Sequence, residues 1–126
     1  MTGLVATAAL TVSTQGAAAQ RLSEEPRTWS VPYVALAGAF TLALWIDAAQ
    51  TRDALRRGYA EANPVLGPHP SEGQVNTYTA LAGLTVLGAA SAAPPRLRPW
   101  LLGAALAVET YAIAGNVRAG IAMRFP

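Results

Sequence analysis

V31-P-Y-V-A-L-A-G-A-F-T-L-A-L-W-I-D-A-A-Q-T51 carries no charge from Val31 to Ile46 and then ends on Asp47, Gln50 and Thr51. At 1.5 Å per helical residue these 21 residues cover roughly 31 Å, enough to cross a hydrocarbon core. Trp29 and Tyr33 stand at one end and Trp45 near the other, in the interfacial positions where aromatic rings are enriched. Ser30 offers an N-cap and Pro32 sits in the first turn, where its missing N–H costs nothing. The stretch therefore predicts a spanning helix, continued beyond the bilayer by R52-D-A-L-R-R57 with Asp53 and Arg57 at i,i+4, and stopped by Gly58.

Two further windows repeat the pattern. Val75 to Pro95 has no charge, and Trp100 to Val117 has only Glu109. Charged residues make up 13% of the chain, against about a quarter in an ordinary soluble domain. The mean hydropathy of +0.29 would also suit an alanine-rich soluble protein, so the distribution of charge decides. The fold class expected is all-α: an integral membrane protein with three transmembrane helices at about 31–57, 72–93 and 99–121. These form a single domain over residues 31–122, with a structured polar loop between the first two helices.

That loop, Gly58 to Pro70, contains Asn63-Pro64, Gly67-Pro68 and His69-Pro70. Its prolines prevent a regular helix or central strand, so specific polar contacts must order it. Ser71-Glu72-Gly73-Gln74 then matches an S-x-x-Q capping box and predicts the second helix. Pro94-Pro95 ends that helix. Its small residues suit close helix packing in a bilayer, with Gly83 and Gly88 as the contact positions where a large side chain should disturb assembly. Pro94 to Pro99 reads as a short basic turn with Arg96 and Arg98, and Trp100 marks an interface.

Residues 1–30 form an N-terminal arm or signal-like segment. An apolar run leads to Ala17-Ala18-Ala19, a small-residue pattern like a cleavage site, but no Arg or Lys precedes Arg21. All nine basic residues are Arg, and they are scattered rather than gathered on one face, which argues against nucleic acid as a partner. With the Asp47–Tyr78 side inward, Arg52, Arg56, Arg57, Arg118 and Arg124 stand against Arg21, Arg27, Arg96 and Arg98. That charge count only slightly favours this orientation. The absence of cysteine removes disulfides, thiolate metal sites and cysteine nucleophiles.

Polar residues inside apolar windows carry the functional information. Asp47, Gln50 and Thr51 lie at i, i+3 and i+4 and share a helix face; Glu109 and Asn116, at i and i+7, share another. If both faces point inward, the ends of the first and third helices meet through them. Glu109 falls close to mid-membrane, where a carboxylate costs on the order of 3 kcal/mol and ordinarily has a partner or a function. It is either a proton- or ion-carrying group or a structural acid bonded to Thr110, Tyr111, Asn116 or a neighbouring helix. Glu61 and Asn63 flank the Pro64 turn and are expected to satisfy loop N–H groups. His69, between two prolines, is expected to be a loop residue.

Asp47, Glu61, His69 and Glu109 could together supply a carboxylate-rich metal site, so the metal question stays open. The sequence lacks H-E-x-x-H, a second histidine, G-x-S-x-G and a phosphate-binding glycine loop. Neither an enzymatic activity nor a cofactor is expected.

E61-A-N-P-V-L-G-P-H-P-S71, with V75-N-T-Y78 behind it and D47-A-A-Q-T51 ahead, resembles a family of small uncharacterised bacterial integral membrane proteins. That family shows a D-x-x-Q-T helix end, an E-x-N-P-x-L-G-x-H-P-S loop, a V-N-x-Y helix start, and a Glu and an Asn in the last helix, here Glu109 and Asn116. The resemblance spans roughly residues 33 to 122. It implies that these polar residues belong together, and it implies no activity.

The expected function is a non-catalytic small membrane subunit, in the cytoplasmic membrane of a bacterium, that docks against a larger membrane complex or against itself. Its partners are then the lipid bilayer and other membrane protein subunits or a second copy. The alternative is a membrane-embedded ion, proton or metal site built on the acidic cluster. A small transporter or holin-like pore is a third class.

Overall fold

The computed structural model describes residues 28–121; the signal-like segment and the arm before Thr28, and the tail with Arg124, lie outside them. Among the described residues the chain is helical, with no strand: α1 (Val31–Arg56), α2 (Glu72–Ala92), a 3-10 turn at Pro95–Leu97, and α3 (Arg98–Arg118). All three helices pack on one another, α1 most extensively on α3. The N-terminal half of α2 returns from the C-terminal end of α1, so α2 is antiparallel to the other two.

Two helical stretches, Val31–Arg56 and Pro95–Arg118, are long and apolar enough to cross a membrane. The third, α2, has the length, at 21 residues or about 31 Å. Its hydropathy is diluted by Asn76, Thr77 and Thr79 near its start and by glycine, alanine and serine toward its end.

Apolar side chains lie both inside the bundle and on its surface. The interior is built around Phe40, Ala43, Leu44, Ala48, Val75, Ala90 and Leu102, several of them small. Val34 and Leu42 on α1, Leu81 and Leu84 on α2, and Trp100, Val108 and Tyr111 on α3 point outward. Trp100 and Tyr111 are 77% and 78% exposed. Such a surface is costly in water, where the apolar face of a helix is buried against a neighbour. Threonine hydroxyls are also satisfied within their own helices. Thr41, Thr79, Thr85 and Thr110 donate to the carbonyls of Ala37, Val75, Leu81 and Leu106 at 2.7–2.9 Å, which removes the need for water.

Helix ends follow local chemistry. At the end of α1, Tyr59 N–H bonds to Ala54 C=O and Gly58 N–H to Leu55 C=O, with Gly58 at φ 87°. This is a Schellman cap in which glycine supplies the left-handed residue. The end of α3 repeats it, with Ile121 N–H on Asn116 C=O, Gly120 N–H on Val117 C=O, and Gly120 at φ 78°. The third helix therefore stops at Arg118, short of the expected 121, because Gly120 turns the chain and returns Ile121 to a buried position. The capping box at Ser71 forms, with Ser71 Oγ accepting from Gln74 N–H at 3.2 Å and Gln74 Oε1 accepting from Ser71 N–H at 2.7 Å. Ser30 occupies the N-cap of α1 but makes no side-chain cap.

Gly83 and Gly88 separate in role. A Cβ on Gly83 would stand 3.1 Å from Leu44 Cδ2, so α2 approaches α1 closely at that point. Nothing lies within 4 Å of the corresponding position on Gly88, which faces outward. Gly83 therefore packs within this bundle, whereas Gly88, about one and a half turns further on, lies off the α1-facing side.

Candidate functional site

Helix register carries the polar residues of α1 and α3 to one end of the bundle. Asn116 Nδ2 donates to Asp47 Oδ1 at 2.9 Å and to Gln50 Oε1 at 3.1 Å. Gln50 is fully buried, and Asp47 and Asn116 are half-buried. One amide thus bridges two successive acceptors on a single helix face, as the i, i+3 spacing allows. Thr51 completes that face at the wall of a cavity.

The cavity has a volume of about 450 Å³ and is lined by all three helices and by the loop. Asp47, Glu61 and Glu109 reach it from α1, the loop and α3 respectively, together with Asn63, Tyr78, Thr79 and Asn116. Its apolar wall includes Leu44, Leu66, Val75, Val108 and Ile121. Asp47 is within electrostatic reach of both Glu61 and Glu109. Seven residues separate Glu109 from Asn116, roughly 10 Å along α3, so the acids are staggered from the loop toward the middle of the bundle.

The loop that forms one wall is ordered by its own polar groups. Glu61 N–H bonds to Pro68 C=O at 2.9 Å and closes the segment. Glu61 Oε1 accepts from Asn63 N–H at 2.8 Å, and Asn63 Oδ1 accepts from Val65 N–H at 3.0 Å. Leu66 and Gly67 N–H groups then fold back on Asn63 C=O, with Gly67 at φ 74°. Asn63 thus caps the Pro64 turn in the way short amide side chains commonly do, while Glu61 both braces the turn and faces the cavity.

The partners expected for Glu109 are engaged elsewhere. Thr110 Oγ1 donates to Leu106 C=O at 2.7 Å, Asn116 serves Asp47 and Gln50, and Tyr111 points outward. Three arginines near this end are also occupied outside the cavity. Arg52 donates to Asn76 Oδ1, Arg56 pairs with Glu72 at 2.9 Å, and Arg57 pairs with Asp53. These bonds tie the end of α1 to the start of α2 and leave no cation among the residues lining the cavity.

His69 is exposed and does not line the cavity, which removes it from the polar cluster. Pro70 beside it is buried instead. Among the described residues, no group of three His, Cys, Asp or Glu side chains is close enough to hold a metal ion.

A second polar arrangement, at the opposite end, is absent from the sequence reading. Arg98 is 1% exposed. Its Nε donates to Ala90 C=O at 3.1 Å, Nη2 to Ser91 C=O at 3.4 Å and Nη1 to Thr28 C=O at 3.5 Å. Its guanidinium lies 5.7 Å from the centre of the Trp29 ring. It closes the C-terminus of α2, where orphan carbonyls and the negative end of the helix dipole favour a cation. The usable signal was Pro94-Pro95: a helix ended abruptly by proline leaves carbonyls for a nearby donor.

Comparison with protein-family models, with curated proteins and with solved structures finds no match for this chain.

Proposed function

We propose that this protein is a three-span integral membrane bundle whose function is to hold a cation in the cavity beneath the 58–70 loop. The observation that carries this reading is the cavity's lining: among the described residues, three carboxylates from three separate segments and no arginine. An acid kept inside an apolar bundle at a cost of a few kcal/mol is a functional group by default when its structural partners are taken by others. In this reading α2 spans the bilayer with its neighbours, supported by its length, its charge-free run from Gly73 to Ala93 and the outward Leu81 and Leu84. The family resemblance adds the cytoplasmic membrane of a bacterium as the location. The protein is a non-catalytic one in this reading.

The experiment is a thermal-stability titration in nanodiscs at constant ionic strength. Cation binding stabilises the folded state by mass action. The wild type is therefore stabilised by at least one cation, and Glu109→Gln loses that response. Identical responses of both proteins to a panel of inorganic and organic cations would sink the reading.

A second reading has its own observation. The outward face of α2 presents Thr85, Gly88, Ala89 and Ala92, all exposed. Small residues let helix backbones approach, which lipid chains do not exploit. A non-catalytic subunit that docks on a larger membrane complex, or on a second copy, would use that face. Purification in mild detergent as a monomer with no copurifying protein would end this reading.

A further inference from the structure

Resting on the cavity reading above, we propose that the cation is an organic primary ammonium with a compact apolar body rather than a metal ion. Size argues first. The cavity, at about 450 Å³, falls in the range of roughly 300–1,000 Å³ typical of sites for small organic molecules. A bare ion leaves most of it to water, at about 30 Å³ per molecule. The donor arrangement argues second. Metal ions are held by converging ligands at about 2.0–2.6 Å, and among the described residues no three acidic or imidazole groups converge. The carboxylates are instead spread around the walls, where one of them can accept N–H bonds from an ammonium while the others add negative charge to the cavity.

The remaining walls argue third. Leu44, Leu66, Val75, Val108 and Ile121 offer apolar contact between the acids. A metal ion has no use for such a surface, whereas an alkyl or aryl body buries against it. Charge balance gives the final step. Arg52, Arg56 and Arg57 are paired outside, and no arginine stands among the described residues that line the cavity beside the three acids. Ammonium donors to carboxylates form the stronger, charge-assisted class of hydrogen bond.

The test uses the full-length protein in nanodiscs of zwitterionic lipid, with 2-phenylethylammonium as the probe, followed by calorimetry and by thermal stability. Its uncharged isostere 2-phenylethanol controls for partitioning into lipid, and sodium and magnesium control for inorganic cations. The expected result is saturable binding of the ammonium alone, weakened about tenfold or more by Glu109→Gln, the scale of losing one charged hydrogen-bond partner. Glu61→Gln serves as a second variant in case Glu109→Gln does not fold. It keeps an acceptor for Asn63 N–H and weakens binding in the same direction. Binding of sodium or magnesium that depends on Glu109 or Glu61, with no response to the ammonium, overturns the organic ligand and leaves the cation cavity standing. If no cation binds in a manner either substitution alters, both fall. Equal effects of 2-phenylethylammonium and 2-phenylethanol also refute the inference, because they identify an apolar pocket indifferent to charge.

Discussion

Asn116 on α3 reaches Asp47 on α1 with a 2.9 Å hydrogen bond from its amide nitrogen, and the same nitrogen serves Gln50 at 3.1 Å. Asn116→Leu removes both bonds at once and leaves two acceptors inside the bundle without that donor. Single interhelical hydrogen bonds in bilayers average about 0.6 kcal/mol and reach about 1.7, so the loss of this bridge should cost on the order of 1–2 kcal/mol. Asn116→Asp should cost more, since it replaces the donor by a third acceptor facing a carboxylate. Unfolding in mixed detergent micelles measures both. Stability equal to wild type in either variant would show that α1 and α3 do not depend on this bridge.

The close approach of α2 to α1 at Gly83 supplies a paired comparison. A leucine at position 83 must displace Leu44 Cδ2, which stands 3.1 Å from the first carbon it would add. Overpacking of this kind costs typically 1–3 kcal/mol. At Gly88 the space is open, and Gly88→Leu should change monomer stability by less than about 0.5 kcal/mol. Its effect, if the outward face of α2 is a docking face, falls on assembly, so size-exclusion profiles of the two variants should differ in opposite ways from their melting curves.

Much of the local structure was legible because it depends on neighbours in sequence. Ser71 and Gln74 make their capping box three residues apart, and Asp47, Gln50 and Thr51 share a face by helical period alone. Their meeting with Asn116 was legible too, since polar groups in apolar helices seek each other. What escaped depends on rotation and on distance through the fold. Gly83 and Gly88 look alike in sequence, and only the azimuth of α2 separates them. Arg98 reads in sequence only as part of a short basic turn, because its acceptors, on Thr28, Ala90 and Ser91, come together only after α1, α2 and α3 have docked. Whether His69 joins the acids was not legible either, because that depends on how the loop folds; it is exposed, beside the buried Pro70, and does not line the cavity.

The return into α2 rests on Ser71. Its hydroxyl accepts Gln74 N–H, while Gln74 Oε1 accepts Ser71 N–H. Ser71→Ala removes one half of the box and should cost about 1 kcal/mol. Because Val75 one turn later is buried against the cavity, fraying should reach the site. Faster amide exchange over residues 72–76 in Ser71→Ala, with α3 unaffected, is the expected pattern; uniform exchange across the bundle would contradict it.

Arg98 joins three chain segments with one side chain, and its replacement tests whether charge or shape matters there. Arg98→Ala leaves the carbonyls of Ala90 and Ser91 without their donor at a helix end that Ala93 N–H on Ala89 closes only in part. Hydrogen bonds to charged groups are worth about 1.5–3 kcal/mol, and the loss of contact with Trp29 adds to this. Arg98→Lys keeps the charge at the negative end of the α2 dipole. A single ammonium cannot, however, reproduce a planar fork that reaches Ala90 through Nε and Ser91 and Thr28 through its two terminal nitrogens. Lysine should therefore recover less than half of what alanine loses, measured by unfolding in mixed micelles. Full recovery by lysine would show that the dipole alone binds the cation here, and that the bidentate geometry at the C-terminus of α2 contributes little.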